Sequence, residues 1–224
     1  MSLEACKRAA AEKAASLIKD QMTVGLGTGS TAAYFIELLA ARHRKGLKIQ
    51  AVASSNTSQK LAEQHQLPLF DLNNLTSIDL YVDGADEIDP QKQMIKGAGG
   101  ALLREKILAH MSREMIVIID ETKLVSKLGQ SPLPVEIIPF GLQATLYHLQ
   151  QLGYRGKLRL KPDGSPWITD NHHYLFDVEC QTSSNLAQDH ERIRSIPGVV
   201  ETGFFPTQAG RVIIGFQDGS VVIQ

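Results

Sequence analysis

Short apolar segments alternate with amphipathic segments over the first half of the chain. Residues 3–18 place apolar side chains on one stripe at helical spacing, which predicts an amphipathic helix with Cys6 among its core residues. The further predicted elements of this half are helices at about 31–44, 56–64 and 100–111 and strands at 23–26, 48–53, 67–70, 78–82 and 115–119, of which 48–53 is predicted to be buried. This alternation indicates βαβ units and a mainly parallel sheet.

The pattern changes near residue 130, where the segment Ser131-Pro132-Leu133-Pro134 marks a candidate domain junction. The elements predicted beyond it are strands at 135–138, 157–160, 174–180 and 199–205 and helices at 141–151 and 185–195. We expect the tail, 211–216 and 221–223, to form a hairpin that rejoins the first sheet. The predicted fold is α/β, a Rossmann-like parallel-sheet domain (1–130 plus 206–224) with a smaller α+β domain (131–205), for which a ferredoxin-like arrangement is one option.

Composition narrows the class of protein without naming a function. The 224 residues carry 23 Lys plus Arg and 24 Asp plus Glu, and this neutral balance argues against a nucleic-acid binder. No apolar run reaches the roughly 18 residues of a membrane span, and the N-terminal segment lacks the apolar core of a signal peptide. Two cysteines, Cys6 and Cys180, make neither a disulfide framework nor a Cys-based zinc site. We therefore expect a cytoplasmic protein.

A glycine-rich turn, GLGTGST at residues 25–31, follows a predicted strand and opens a helix. Glycines allow a sharp turn and close approach to a ligand, and free N–H groups at a helix start favour an anion such as phosphate. The alternative is a tight turn with a Ser or Thr helix cap. The turn formally fits the dinucleotide fingerprint, but no acidic residue follows the next strand at Ala53, and no Gly-Lys-Ser/Thr P-loop occurs. A small phosphorylated metabolite therefore fits better than NAD or ATP.

An acidic turn, DGADEID at residues 83–89, follows the strand predicted at 78–82. Strand ends of a parallel sheet face the ligand crevice, so Asp83 and Asp86 would lie near a ligand, with Gly84 and Ala85 keeping the backbone accessible. These carboxylates could bind sugar hydroxyls or transfer protons. A solvated acidic turn and a hard-cation site such as Mg²⁺ are the alternatives, although the spacing of a calcium loop is absent.

A second glycine turn, Lys96-Gly97-Ala98-Gly99-Gly100, precedes the helix that carries Glu105. A lysine in this position can stabilise an oxyanion or a phosphate. Glu105 is either a surface residue of an amphipathic helix or, if buried, a candidate general base. Lys123, in the turn DETK after the strand at 115–119, is either a cation for the phosphate or an ordinary surface lysine.

The four turns GLGTGST, DGADEID, KGAGGALLREK and DETK, in this order, closely resemble ribose-5-phosphate isomerase of type A. The resemblance continues through PVEIIPFG at 134–141, TDN at 169–171 and PGVVETG at 197–203, and it covers almost the whole chain. It implies an aldose–ketose isomerase of the non-oxidative pentose phosphate pathway, which interconverts D-ribose 5-phosphate and D-ribulose 5-phosphate. It also implies a homodimer or homotetramer that needs no metal or organic cofactor.

The resemblance implies roles for individual residues. Glu105 matches the general base that moves a proton between C2 and C1 through a cis-enediolate, and Asp83, Asp86 and Lys96 match residues that assist ring opening and stabilise charge. The implied substrate-binding residues are Lys7, Thr28, Gly29, Ser30, Thr31, Gly84, Ala85, Gly97, Ala98, Gly99 and Lys123.

The chain departs from the family pattern at two places. Ala98 stands where the family usually has glycine, and a methyl group is tolerated there only if φ is negative or the site has room. His172-His173 stands where the family usually has Gly-Asn. Adjacent histidines do not converge readily on one metal ion, so we expect both to be exposed loop residues.

Three rival hypotheses follow from the same residues. A non-catalytic sugar-phosphate sensor would not need Asp83, Asp86, Lys96 and Glu105 together. A CoA-transferase-like enzyme would use its glutamate to form a covalent thioester. An NAD-dependent dehydrogenase is disfavoured by the missing acid after Ala53.

Overall fold

The structure is a computed structural model that describes residues 1–180, 183 and 185–224. The helices are α1 (Leu3–Leu17), α2 (Ser30–Arg44), α3 (Asn56–Gln64), α4 (Leu102–Met111), α5 (Leu142–Gln151) and α6 (Leu186–Arg194). The strands are β1 (Met22–Leu26), β2 (Ile49–Ala53), β3 (Leu80–Asp83), β4 (Glu87–Ile88), β5 (Met94–Ile95), β6 (Met115–Asp120), β7 (Leu133–Ile137), β8 (Gly156–Leu158), β9 (Tyr174–Val178), β10 (Val199–Thr202), β11 (Phe204–Phe205), β12 (Ala209–Gly215) and β13 (Val221–Ile223).

The chain divides into two compact units. The first unit comprises Met1–Ala85, Arg104–Leu124 and Thr207–Gln224. The second comprises Asp86–Leu103 and Val125–Pro206. The domain limits expected from the sequence, 1–130 plus 206–224 and 131–205, stay a prediction.

The first unit is built on one mixed sheet with the strand order β13-β12-β6-β3-β1-β2. The pairs from β12 to β2 are parallel, and β13 adds an antiparallel edge on β12. The α/β class is therefore confirmed. The predicted return of the tail to this sheet is also confirmed, because β12 lies between β13 and β6.

The core of the first unit lies between helices and one face of this sheet. Alternate strand residues such as Val24, Leu26 and Ile116 point into it, as the two-residue period of a strand requires. Small side chains of α1, among them Ala10 and Ala14, pack in the same cluster as residues of α2 and α3. Burial of each large aliphatic side chain contributes about 1.5 to 3 kcal/mol.

The second unit contains an antiparallel sheet with the strand order β10-β7-β9-β8 and a small sheet with the order β11-β5-β4. Strand β7 is buried along its length, and its Val135 and Ile137 pack in one cluster with Leu149 of α5 and Ile193 of α6. The strands predicted at 135–138, 157–160 and 174–180 are present as β7, β8 and β9, and the two helices predicted in this unit are present as α5 and α6.

Two predicted strands were wrong, and two short strands were missed. Residues 67–70 are not a strand, because Leu69 makes only an isolated bridge to Ala51. The expected strand 199–205 is two strands, β10 and β11, which belong to different sheets. The break falls at Gly203, where a Cβ atom would lie 2.1 Å from the carbonyl oxygen of Lys96. The two-residue strands β4 and β5 were not predicted, because so short a segment shows no periodicity.

The paired histidines differ from each other. His172 is exposed, as expected, and its φ of 61° is one that glycine adopts more readily. The expectation for His173 was wrong, because its Nδ1 lies 2.9 Å from Oε1 of the fully buried Glu136.

Across residues 1–180, 183 and 185–224, no group of three or more His, Cys, Asp or Glu side chains is arranged to hold a metal ion. None of the helices described combines the length and apolar character needed to cross a bilayer.

Candidate active site

The candidate turns of the first unit follow neighbouring parallel strands. The register pairs Leu26 with Ala53 and with Val82, so the ends of β1, β2 and β3 are level. Strand β6 lies on the other side of β3 and ends at Asp120. The glycine turn 27–29, the hydroxyls that follow β2, the acidic turn 83–85 and the charged turn 120–123 therefore share the carboxyl edge of the sheet, where α/β proteins bind their ligands.

The two glycines of this turn, Gly27 and Gly29, serve it in different ways. A Cβ atom on Gly27 would lie 2.2 Å from Oδ1 of Asp83, so this position requires glycine. Gly29 has a φ of 101° and precedes α2 with no side-chain cap. Ser30 is exposed and Thr31 is half-buried in the first helical turn. The first N–H groups of a helix lack intrahelical partners and carry partial positive charge, so this helix start suits an anion.

Thr28 connects three strand ends. Its N–H donates to Oδ1 of Asp83 at 3.0 Å, and its Oγ1 lies 2.9 Å from Oγ of Ser54 and 2.8 Å from Oγ of Ser55. Ser55 also caps α3 through a reciprocal pair of hydrogen bonds with Ser58. The two serines were not among the predicted site residues, although two hydroxyl residues directly after a buried strand were a signal for them.

Asp83 is fully buried and held by several donors. Its Oδ1 accepts the N–H groups of Thr28 at 3.0 Å and Gly84 at 2.7 Å, and its Oδ2 accepts the hydroxyl of Tyr81. Burial raises the pKa of Tyr81 well above its usual value, and the charges of Asp83 and Glu105 raise it further. The phenol therefore keeps its proton and remains a donor to Asp83. Sequence reasoning missed Tyr81, since an aromatic residue in a buried strand is typical of a core.

Glu105 lies in the first turn of α4, and only 3% of it is exposed. It is therefore not the surface glutamate that was the alternative prediction. Its charge acts on the pKa of the Tyr81 hydroxyl, so it lies within electrostatic range of the Tyr81–Asp83 pair. A carboxylate held in such a place, away from bulk water, is suited to taking a proton from carbon.

Two lysines of the first unit were predicted to bind substrate. Lys123 is half-buried and ends the short 3-10 turn Glu121–Lys123, which Asp120 caps by accepting the N–H of Thr122 at 3.0 Å. Lys7 lies on α1 with its Nζ 2.8 Å from Oε1 of Glu4. The hydrogen bond to Glu4 raises the pKa of Lys7, and the charge of Asp120 adds to this effect. Lys7 is thus a cation within electrostatic range of Asp120, the last residue of β6.

The remaining predicted residues belong to the second unit. Lys96 follows β5, is 3% exposed, and places its ammonium group 5.6 Å from the centre of the Phe205 ring. Its N–H donates to the carbonyl of Gly203 at 2.8 Å. Asp86 lies on the neighbouring backbone, where its N–H donates to the carbonyl of Ile95 at 2.9 Å. The structure thus places Asp86 and Lys96 at the same end of the small sheet.

The turn after Lys96 accepts an alanine at one position. Gly97 and Gly100 have φ values of 105° and 81°, whereas Ala98 does not adopt a positive φ. Ala98 and Gly99 are exposed, and the N–H of Ala98 donates to Oδ2 of Asp86 at 2.8 Å. The departure from the family pattern therefore falls where a methyl group costs little.

Comparison with known proteins gives a consistent family. Residues 50–219 match the family described as ribose 5-phosphate isomerase A (phosphoriboisomerase A). A relative from Protochlamydia amoebophila named ribose-5-phosphate isomerase A is 52% identical over 219 residues, which cover 97% of this chain and 94% of the relative.

Solved structures agree with the sequence relatives. A D-ribose-5-phosphate isomerase in complex with phospho-erythronic acid superposes with a TM-score of 0.95 at 38% identity, covering 100% of this chain and 99% of the other. The ribose 5-phosphate isomerase A of Methanocaldococcus jannaschii superposes with a TM-score of 0.93 at 37% identity, again over 100% and 99% of the two chains.

Proposed function

Because the chain belongs to the ribose 5-phosphate isomerase A family, and is therefore an aldose–ketose isomerase of pentose phosphates, we propose that it interconverts D-ribose 5-phosphate and D-ribulose 5-phosphate with Glu105 as general base. The observation that carries this assignment is the burial of Glu105 within electrostatic range of the Tyr81–Asp83 pair. A carboxylate on an exposed helix face would support no such role.

In this proposal the phosphate group binds at the start of α2. The N–H groups of Ser30 and Thr31, the hydroxyls of this turn and the lysines Lys7 and Lys123 supply positive charge and donors. Gly29 supports the assignment, because its φ of 101° turns the chain without a side chain that would cap the helix.

The proposed reaction moves one proton between carbons and one between oxygens. Asp83 and Asp86 assist opening of the sugar ring to the aldehyde. The Glu105 carboxylate then removes the proton on C2, and the electron pair forms the C1–C2 double bond of a cis-enediolate with negative charge on O1. Glu105 returns the proton to C1 while the O2 proton leaves and O1 gains one, which gives the ketose. Lys96 stabilises the enediolate oxygen, an interaction that is strongest in the transition state.

A phosphorylated sugar acid is expected to inhibit this reaction. The carboxylate of phospho-erythronic acid, the ligand of one solved relative, is planar and anionic like an enediolate. We propose that it competes with ribose 5-phosphate in this chain.

We also propose that five residues of the two turns line the sugar: Gly84, Ala85, Gly97, Ala98 and Gly99.

We also propose a ferredoxin-like arrangement for the second unit. The element order β7-α5-β8-β9-α6-β10 and the sheet order β10-β7-β9-β8 support it. A homodimer or homotetramer and a cytoplasmic location stay predictions.

The test is conversion of ribose 5-phosphate by the purified protein in the presence of EDTA, with the product identified by NMR. We expect full activity with EDTA, since no step is assigned to a metal. Glu105→Gln should retain substrate binding and lose at least about a hundredfold in kcat. Glu114→Gln is the matched control and should leave kcat unchanged. Glu114 lies near the end of α4, and its Oε1 accepts a hydrogen bond from Nε of Arg211 at 2.6 Å. Lack of conversion by folded wild-type protein would overturn the proposal.

A further inference from the structure

Arg159 contacts the glycine turn of the second unit from the side of its backbone carbonyls. Its Nη1 donates to the carbonyl oxygens of Gly97 and Ala98, both at 2.9 Å. Its Nε donates to Oδ2 of Asp177 at 2.9 Å, and its Nη2 donates to Oδ1 of the same carboxylate. The side chains of Arg159 and Asp177 are only 16% and 21% exposed, so this two-point ion pair is shielded from solvent. The guanidinium group therefore has one orientation, fixed by β9.

Because the peptide bond is planar, contacts that fix the carbonyl groups also fix the direction in which the N–H groups of the same peptides point. In a trans peptide the C=O and N–H bonds point in opposite directions. The peptide between Gly97 and Ala98 directs its carbonyl at Arg159 and its N–H at Oδ2 of Asp86, 2.8 Å away. The peptide between Ala98 and Gly99 also directs its carbonyl at Arg159, so the N–H of Gly99 points away from the guanidinium group.

A continuous chain of polar contacts thus leads from β9 to a candidate catalytic carboxylate. It runs from Asp177 through Arg159 and the peptide of Ala98 to Asp86. Hydrogen bonds in series polarise one another, and a cation on a carbonyl oxygen makes the N–H of the same peptide a stronger donor. This series of contacts both fixes the turn and strengthens its N–H donors.

We propose that Arg159 is a positioning residue of the isomerase, which holds the carbonyls of Gly97 and Ala98 so that Asp86 and the Gly99 N–H face the substrate; this inference rests on the proposed function. Lysine cannot replace it, because an ammonium group cannot bind one carboxylate at two points and reach two carbonyls at the same time. Because Asp86 is proposed to assist ring opening, a step of the reaction and not of substrate binding, the loss should appear in kcat rather than in KM.

The test compares Arg159→Lys with Arg211→Lys in the ribose 5-phosphate assay. Arg211 is a matched control, since it binds Glu114 through Nε at 2.6 Å and Nη2 at 2.8 Å in the same two-point geometry. We expect Arg159→Lys to lower kcat about tenfold to a hundredfold with a nearly unchanged KM. Arg211→Lys should leave both constants unchanged. Thermal unfolding should show a lower midpoint for Arg159→Lys than for Arg211→Lys, because Arg159 is more buried and also loses two carbonyl contacts, so both constants are measured well below both midpoints.

Each outcome bears on a different claim. An inactive wild-type protein would contradict the proposed function and not the role of Arg159. Active wild type with equal kcat in Arg159→Lys and Arg211→Lys would overturn the inference. If Arg159→Lys does not fold, Asp177→Asn replaces it, because that variant weakens the anchor and leaves the guanidinium group. A smaller fall in kcat would support the inference, and a wild-type kcat in a folded Asp177→Asn protein would overturn it.

Discussion

At the scale of single residues, one buried tyrosine hydroxyl of the first unit holds one carboxylate in place. Tyr81 lies in the middle of β3 with no exposed surface, and its hydroxyl donates to Asp83 two residues further on. A Cβ atom on Gly25 of the neighbouring strand would lie 2.6 Å from the Tyr81 ring, so the sheet makes room for this ring. The tyrosine therefore orients Asp83 rather than simply filling the core.

Tyr81→Phe should test this role. The ring still fills its place, but Oδ2 of Asp83 loses a donor inside the protein. A buried hydrogen bond to a charged group contributes about 1.5 to 3 kcal/mol, and we expect the free energy of unfolding in urea to fall by that amount. We also expect kcat to fall about tenfold, because Asp83 is no longer held in one orientation.

Tyr154→Phe is the control for this substitution. Tyr154 of the second unit donates its hydroxyl to Oδ1 of Asp189 at 3.0 Å, so the same atom is removed from a comparable pair. It should affect stability and leave kcat unchanged. Equal kcat values for Tyr81→Phe and wild type would show that Asp83 needs no help from Tyr81.

At the scale of elements, the turn between β1 and α2 is the part of the site that sequence predicts best. Strand, glycines and hydroxyl residues follow one another without interruption at residues 22–31, and each has a local physical reason. The structure adds that α2 begins without a side-chain cap. A ligand anion at this helix start would complete the missing cap.

Ser30→Asp should separate helix stability from substrate binding. A carboxylate in the first turn interacts favourably with the helix dipole, by about 0.3 to 1 kcal/mol, so the protein should remain folded. The same charge repels a phosphate group, so KM for ribose 5-phosphate should rise by at least about tenfold. Asn185→Asp at the start of α6 is the control and should leave KM unchanged. Asn185 already caps that helix, because its Oδ1 accepts the N–H of Gln188. An unchanged KM in Ser30→Asp would exclude α2 as the phosphate site.

Other elements could not be predicted, because their reasons are not local. Arg159 reaches the carbonyl of Gly97 across 62 residues of sequence, and an arginine within the strand predicted at 157–160 carries no signal of that contact. Gly203 divides the strand predicted at 199–205 between two sheets, and the atom that requires the glycine belongs to Lys96. Tertiary neighbours, which periodicity does not report, decide both positions.

At the scale of the whole molecule, family membership decides among the hypotheses drawn from the turns. Near-complete coverage by relatives named as isomerases removes the sensor, the CoA-transferase-like enzyme and the dehydrogenase. Each turn alone left these alternatives open. The order of the four turns along a chain of this length distinguished the isomerase from these alternatives.

The stability of the molecule should fall in alkaline solution. Burial raises the pKa of the Cys180 thiol from 9.0 to about 11 and that of Tyr81 well above 10.0. At pH 7 both groups are protonated in the folded and unfolded chains, so neither affects stability. Above pH 9 the unfolded thiol loses its proton while the folded thiol keeps it, which favours unfolding.

Urea unfolding between pH 7 and pH 10.5 measures this effect. We expect the free energy of unfolding to decline above pH 9 and the decline to be shallower in Cys180→Ala, with pH 7 as the baseline for each protein. An equally steep decline in Cys180→Ala would show that this thiol is not the cause.

The most direct test of the account is the fate of the C2 proton when the enzyme acts in D₂O. One base on one face of a cis-enediolate delivers a solvent-exchanged proton to one side of C1 only. NMR of the ribulose 5-phosphate formed by wild type should therefore show any deuterium that enters from solvent at a single C1 position, and Glu105→Gln should yield almost no product. Deuterium at both C1 positions or wild-type turnover by Glu105→Gln would contradict the central claim.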